Sequence, residues 1–349
     1  MRLRTRRKTL VIAAAIGAVL ALLLALILAL FAVGNLAGDS DVLVDDSDPT
    51  PDDPPLVQHL KKFQALADEY GDRSARGPGY EAAAEYVEEQ LAAAGYDTER
   101  QYFTFERRGE EYETFNVIAE TDGGSEDSVV MLGAHLDGVR GSAAMNDNAS
   151  GVSALLEAAK AVQAQGEPTN TVRFVWWGAE EYRNSPGSRH YVEDLAENDP
   201  DELDAIAAYL NFDMIASPNY VIAVYDARSG EDEARLEVPD GSVEVMDMFT
   251  DYFDSQDQPW VGTGWDFDSD QVAFAHEGVA VGGLYSGSDE RKTPREAALF
   301  GGTPGKNRDP NYHTDDDDIE NINMEALTIM SDAITHAATT LARDATALE

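Results

Sequence analysis

Ser128-Val129-Val130-Met131-Leu132-Gly133-Ala134-His135-Leu136-Asp137 sets the architecture of this chain. From Ser128 to Gly133 the run is apolar with no polar alternation, which reads as a strand covered on both faces. It then ends on two side chains, His135 and Asp137, able to bind a metal or a proton. Runs of similar character lie at Thr171–Trp177, Ala205–Asn211, Tyr220–Tyr225 and Val279–Leu284. Apolar residues recur with helical period in Leu56–Tyr70, Tyr80–Ala94, Ser150–Gln165 and Met324–Leu341. Buried strands alternating with helices predict an α/β three-layer sandwich: a mainly parallel mixed sheet covered by helices. Trp176 and Trp177 are read as core, and no internal repeat is visible.

Ligands of such sheets gather beyond the carboxyl ends of the strands, and metal-competent side chains stand there in this sequence. The first run ends in His135 and Asp137, which alternation puts on one side of the chain, so Asp137 can orient the imidazole. A loop presents Asn146-Asp147-Asn148-Ala149-Ser150-Gly151 before a helix. Thr171–Trp177 leads into Glu180-Glu181, and Ala205–Asn211 leads into Asp213. Tyr312-His313 sits in a loop before the last helix. Each has an ordinary alternative: a local hydrogen bond, a solvated acidic pair, a helix cap, or a partner for Asp315. Their joint placement at successive strand ends points to a metal site. The chain has no cysteine, so disulfides are excluded and any metal must use imidazole and carboxylate.

With these residues in order, the sequence resembles the di-zinc aminopeptidases of the leucyl-aminopeptidase-like group, from about Arg76 to Asn323. The same metallopeptidase clan holds glutaminyl cyclases and glutamate carboxypeptidases. The matching segments include Gly77-Pro78-Gly79-Tyr80, Asn116-Val117-Ile118-Ala119, Gly133–Asp137, Asn146–Gly151, Trp176–Glu181, Tyr209–Asp213, Gly282-Gly283-Leu284 and Tyr312-His313. The resemblance implies two Zn²⁺ ions bridged by Asp147, with His135 and Asp213 completing one and Glu181 and His313 the other. It implies Glu180 as general base, Asp137 supporting His135, and Tyr312 holding the oxyanion. The expected reaction is removal of N-terminal residues from peptides by a metal-activated water. Two departures stand out. Asp268 occupies a place in Phe267–Gln271 where relatives often carry arginine, in a segment that lines the substrate cleft. The cysteine pair that flanks the last histidine in relatives is absent, replaced by Asn311 and the Asp315–Asp318 run. The alternatives are a cyclase or carboxypeptidase on the same fold, or an inactive binding or receptor relative.

The chain carries 66 acidic against 25 basic residues, a formal net charge of −41 over 349 residues. Nucleic-acid binding is not expected, since a polyanion is repelled along its whole approach. The acids are spread along the chain and lysine is scarce, six against nineteen arginines, which reads as a surface adapted to high salt. Calcium binding, for example by Asp315–Asp318, is the weaker reading, because the glycine and spacing of an EF-hand are missing. His59, His190, His276 and His336 are read as packing or surface residues.

The N-terminus assigns a compartment. Residues 1–9 are basic, and an uncharged, mostly apolar run from Leu10 to Gly34 follows. Its 25 residues make a helix of about 37 Å, enough to cross a hydrocarbon layer of about 30 Å. The basic flank orients the C-terminal bulk outside the cell, through an uncleaved single-pass anchor or, if the segment is cleaved, by secretion. Arg6-Arg7 also permits a twin-arginine export route. Residues 35–55 read as an acidic, proline-rich linker and residues 56–349 as the zinc peptidase domain.

Overall fold

The computed structural model describes residues 48–229, 236–265 and 269–344. It places the Ser128 run inside an eight-stranded sheet. The basic segment, the expected membrane segment at 10–34, most of the linker and Asp268 lie outside the described residues. Among the described residues no helix is long and apolar enough to cross a membrane.

Two helices, α1 (Pro55–Tyr70) and α2 (Pro78–Ala94), precede the hairpin of β1 (Thr98–Arg107) and β2 (Glu110–Glu120). Then come β3 (Ser125–His135), α3 (Ser150–Ala164), β4 (Asn170–Trp177), α4 (Pro186–Asn198), α5 (Pro200–Asp204) and β5 (Ile206–Phe212). The last part holds β6 (Ala223–Val224), α6 (Ser242–Ser255), β7 (Val261–Gly262), α7 (Gln271–His276), β8 (Val281–Tyr285), α8 (Pro294–Phe300) and α9 (Met324–Leu341). The sheet order is β1-β2-β4-β3-β5-β8-β6-β7. β4, β3, β5 and β8 are parallel neighbours, while β2 runs antiparallel to both β1 and β4 and β6 antiparallel to β8. The sheet is therefore mixed with a parallel centre. Helix α3 packs on β3 and against α1, α2 and α9 on one face, while α4 and α7 pack against each other on the opposite face.

Burial explains the central strand. Every residue of β3 from Val129 to His135 is buried, because helices cover both faces. Trp176 and Trp177 are fully buried, and the Trp177 indole donates to the Tyr209 hydroxyl at 2.7 Å. A side chain at Gly133 would meet that hydroxyl at 2.3 Å, so the crossing of β3 with its neighbours requires glycine there. The run Tyr220–Tyr225 is shorter as a strand than its composition predicts. Regular pairing is confined to Ala223–Val224, although the Val221 and Tyr225 amides still donate to Ser286 and Gly283 at 2.9 and 3.1 Å.

This topology positions a site. After β3 the chain crosses to β4 on one side, and after β4 it returns to β5 on the other side of β3. Connections leaving β3 and its neighbours in opposite directions open a crevice at the carboxyl ends of the three strands.

Candidate metal centre

Three strand ends, the turn ahead of α3 and the distant loop of His313 converge in that crevice. His135 is the last residue of β3, Glu180 and Glu181 follow β4, and Asp213 follows β5. Asp147 comes from a helical turn at Met145–Ala149 just ahead of α3, and its peptide bond to Asn148 is cis. His135 Nε2 lies 3.1 Å from Asp147 Oδ1 and 3.2 Å from Asp213 Oδ1. His313 Nε2 lies 3.1 Å from Asp147 Oδ2 and 3.1 Å from Glu181 Oε2. Asp147 thus offers one oxygen to each of two triads, His135–Asp147–Asp213 and Asp147–Glu181–His313.

The donor set fits zinc. Nitrogen and oxygen ligands at about 2.0–2.2 Å from a tetrahedral ion stand roughly 3.3–3.6 Å apart, close to the spacings observed. The other Glu181 oxygen, Oε1, is buried without a hydrogen-bond partner, an expensive state unless a cation faces it. The imidazole is already oriented, since His135 Nδ1 donates to the Asp137 carbonyl at 2.9 Å and leaves Nε2 to the carboxylates.

Protonation answers to the same crowding. Burial alone would lower the His135 pKa, but the carboxylates of Asp213 and Asp147 overcome it and hold the group well above its ordinary value. Likewise at His313, burial is outweighed by Asp147 and Glu181, and the pKa rises to about 10. Burial pushes Glu181 up to about 8, reinforced by the Asp147 charge. Glu180 is raised well above the usual carboxyl range by burial and by Asp213, Asp270 and its own neighbour, with His135 opposing. Asp147 goes the other way: hydrogen bonds from both histidines outweigh burial and lower it. The carboxylates thus favour protonated imidazoles while the site is empty, and a cation bound there would displace those protons.

The asparagines around Asp147 explain the Asn-Asp-Asn pattern. Asn148 donates to the Phe212 carbonyl at 2.8 Å and accepts from the Gly151 and Met214 amides at 3.0 and 3.2 Å, tying the end of β5 to the start of α3. Asn146 accepts from the Ala216 amide at 3.0 Å and donates to Asp309 at 2.6 Å. The Asp317 carboxylate accepts the amides of Asn146 and Asp147 at 2.9 and 3.1 Å. Asn321 then bridges Asp317, Asp309 and Asn311. These bonds fasten the His313 loop to the Asp147 turn, where relatives were expected to use a cysteine pair. Non-glycine residues with positive φ flank the ligands: Ala179 at 64°, Met214 at 57° and His313 itself at 58°. Such conformations persist only where surrounding contacts over-determine them, and they cluster at functional sites.

All eight side chains expected from the sequence reach this region, with one difference of contact. The Asp137 carboxylate stands 3.9 Å from His135 Nδ1 and instead accepts the Glu180 amide at 3.0 Å. Asp137 therefore steers the imidazole through its main chain and the Glu180-Glu181 segment through its side chain. Tyr312 stacks on His313 with ring centroids 3.8 Å apart, and burial holds its phenol protonated. The run Asp315–Asp318 divides its labour: Asp317 is buried in the network, Asp315 and Asp316 are exposed, and Asp318 accepts the Glu320 amide at 2.9 Å. Sequence reasoning missed Arg73, which is fully buried and donates to the carbonyls of Leu136, Ala144 and Ala143 at 2.7, 2.7 and 3.3 Å. It also gave no task to Ser269, whose hydroxyl donates to Asp213 Oδ2 at 2.8 Å, or to the buried Asp270, pushed up to about 8 by burial.

Fold and site together define a metal-binding α/β sandwich with an acidic cleft of about 240 Å³ over the two triads. Residues 116–338 match the model of peptidase family M28, and the chain belongs to that family. It is 48% identical over 222 residues to an aminopeptidase of Pseudomonas aeruginosa, covering 64% of this chain and 40% of that protein. It is 40% identical over 299 residues to leupeptin-inactivating enzyme 1 of Streptomyces exfoliatus, covering 84% of this chain and 63% of that protein. The chain thus spans less than two thirds of the length of either relative. In fold it is similar to the solved structure of BSAP, a zinc aminopeptidase from Bacillus subtilis, at TM-score 0.66 and 16% identity, covering 83% of this chain and 96% of that one. It is also similar to Porphyromonas gingivalis glutaminyl cyclase, at TM-score 0.64 and 14% identity over 82% of this chain and 98% of that one.

Proposed function

We propose that the chain is a zinc-dependent aminopeptidase that loads two zinc ions, one on His135, Asp147 and Asp213 and one on Asp147, Glu181 and His313. The observation that carries this reading is the shared Asp147, one oxygen toward each triad, with Glu180 beside them and in neither. Bound zinc would activate a water and polarise the scissile carbonyl, so no covalent nucleophile is needed. Glu180 takes the proton from the attacking water and gives it to the leaving amine as the peptide C–N bond breaks. Its oxygen Oε1 accepts from Ser185 at 3.1 Å, which fixes the carboxylate's direction. Tyr312, protonated and half-buried at the cleft wall, donates to the oxygen on which charge develops. The carboxylates lining the cleft attract the substrate's terminal ammonium and so place the scissile bond one residue away.

Two measurements check the reading. Elemental analysis should find two zinc ions per chain in the intact protein, about one after Glu181→Gln and fewer than one after Asp147→Asn. One ion in the unmodified protein would refute the two-metal arrangement. Peptides with a free α-amine should be shortened from that end, while N-acetylated counterparts resist. Rapid cleavage of blocked peptides from the C-terminus would make it a carboxypeptidase. We further propose that residues 10–34 anchor the chain with the catalytic part outside the cell, a reading supported by the uncharged run behind a basic flank. Protease shaving of intact cells should remove the domain while the anchor stays with the membrane. Protection from the protease would sink it.

A further inference from the structure

Several arginines in this chain pair with acids. Arg100 pairs with Glu88 at 2.6 Å, Arg173 with Glu202 at 2.6 Å and Arg308 with Glu296 at 2.9 Å. Four others do not. Arg76, Arg107, Arg108 and Arg140 surround a cavity of about 250 Å³ completed by Glu110 and Tyr112, and among the described residues none of the four forms an ion pair. In a chain with 66 acids, four unmatched guanidiniums gathered at one cavity concentrate positive charge there. The one acid in the lining, Glu110, accepts a hydrogen bond from the Tyr112 hydroxyl and forms no ion pair with them among the described residues.

Two of the guanidiniums are held by aromatic rings. Arg76 lies over Tyr112 at 4.1 Å and Arg107 over Tyr182 at 4.9 Å, while Arg76 Nε donates to the Tyr182 hydroxyl at 3.0 Å. Stacking of this kind fixes the plane of a guanidinium and leaves N–H edges for a carboxylate. Tyr182 directly follows Glu181 and lines the metal cleft as well, as does the exposed Arg183. One side chain thus forms a wall of the metal cleft and a bed for the arginines.

We propose that the four-arginine cavity is a subsite for carboxylates of the peptide substrate beyond the scissile bond, so that the enzyme favours acidic peptides. The proposal rests on the aminopeptidase reading above. A peptide extends about 3.3 Å per residue, so a carboxylate a few residues downstream can pass Tyr182 and reach the cavity. The carboxylate can belong to an Asp or Glu side chain or to the C-terminus. A polyanion is disfavoured, since the chain as a whole carries a net charge of −41.

Four substrates test this at the lowest salt at which the protein stays folded: Leu-Gly-Gly-Glu-Glu amide, Leu-Gly-Gly-Gln-Gln amide, Leu-Gly-Gly-Gln-Gln as free acid, and leucine p-nitroanilide as the reference. The expected result is a KM about five-fold lower for the acidic amide than for the neutral amide, with similar kcat, as two charge-assisted contacts would give. The preference, normalised to the reference, should vanish in Arg107→Gln/Arg108→Gln. A preference only for the free acid assigns the subsite to the C-terminal carboxylate. Equal KM values throughout overturn the subsite, as does a preference that survives both this variant and Arg76→Gln/Arg140→Gln. Calorimetric titration with N-acetylated acidic and neutral peptides separates the two layers of inference. Tighter acidic binding that the variant abolishes, with no substrate cleaved, keeps the subsite and discards the peptidase. Cleavage without any binding difference does the reverse.

Discussion

Glu180→Gln is expected to lower kcat by about 10²- to 10⁴-fold while KM stays within a small factor and the protein keeps its zinc. The substitution preserves shape, and the contacts that place the residue survive it. The Glu180 amide still donates to Asp137, and the Ser185 hydroxyl still has an oxygen to meet. Neither triad contains Glu180. What disappears is the ability to accept a proton from the attacking water. Glu181→Gln should differ in kind, because Glu181 Oε2 sits 3.1 Å from His313 Nε2 and its loss empties one triad. The two variants are separated by kcat measured alongside zinc content. Equal zinc loss in both would show the adjacent carboxylates to be assigned the wrong way round.

What the sequence made legible, and what it hid, follows from where each residue gets its meaning. The metal-competent residues stand at strand ends, and the rule that ligands gather there needs only the order of elements. Helix α9 ends where its period ends, at Met324 and Leu341, because one face is continuously buried against α3. The β1–β2 hairpin escaped notice for the opposite reason. Its strands are crowded with Glu and Arg, its buried positions Phe103 and Phe105 alternate only briefly, and its turn is Arg108-Gly109. Both turn residues take positive φ, 55° and 80°, a demand usually announced by Asn-Gly. Arg73 and Asp317 were hidden more deeply. Both are residue types that live at surfaces, and only the closed fold reveals that one feeds three carbonyls and the other anchors the Asp147 turn. The Asp137 carboxylate was assigned to the imidazole by strand alternation, which cannot foresee that the Glu180 amide approaches more closely.

Charge leads to the second large effect. Residues 1–38 hold five basic and no acidic residues, so the remainder carries 25 − 5 = 20 basic against 66 acidic, a net of −46. Exposed ion pairs such as Arg228–Asp247 offset little of this, each contributing about 0–1 kcal/mol. The domain from Asp39 onward is therefore expected to unfold or lose activity in dilute buffer and to be most stable in molar salt. The Debye length falls from about 30 Å at 0.01 M to about 3 Å at 1 M, which removes repulsion between all but adjacent carboxylates. Zinc should slow the loss at low salt, because an ion held only by the folded state stabilises it by mass action. Thermal melts across a potassium chloride series, with and without zinc, measure both effects. Salting-out of apolar groups also raises stability, so sodium sulfate at matched ionic strength is the needed comparison. Screening predicts that most of the gain arrives below about 1 M and tracks ionic strength. A gain that tracks the identity of the anion would point to the core instead, and a midpoint that stays flat or falls with salt would refute the high-salt surface and bring calcium binding forward.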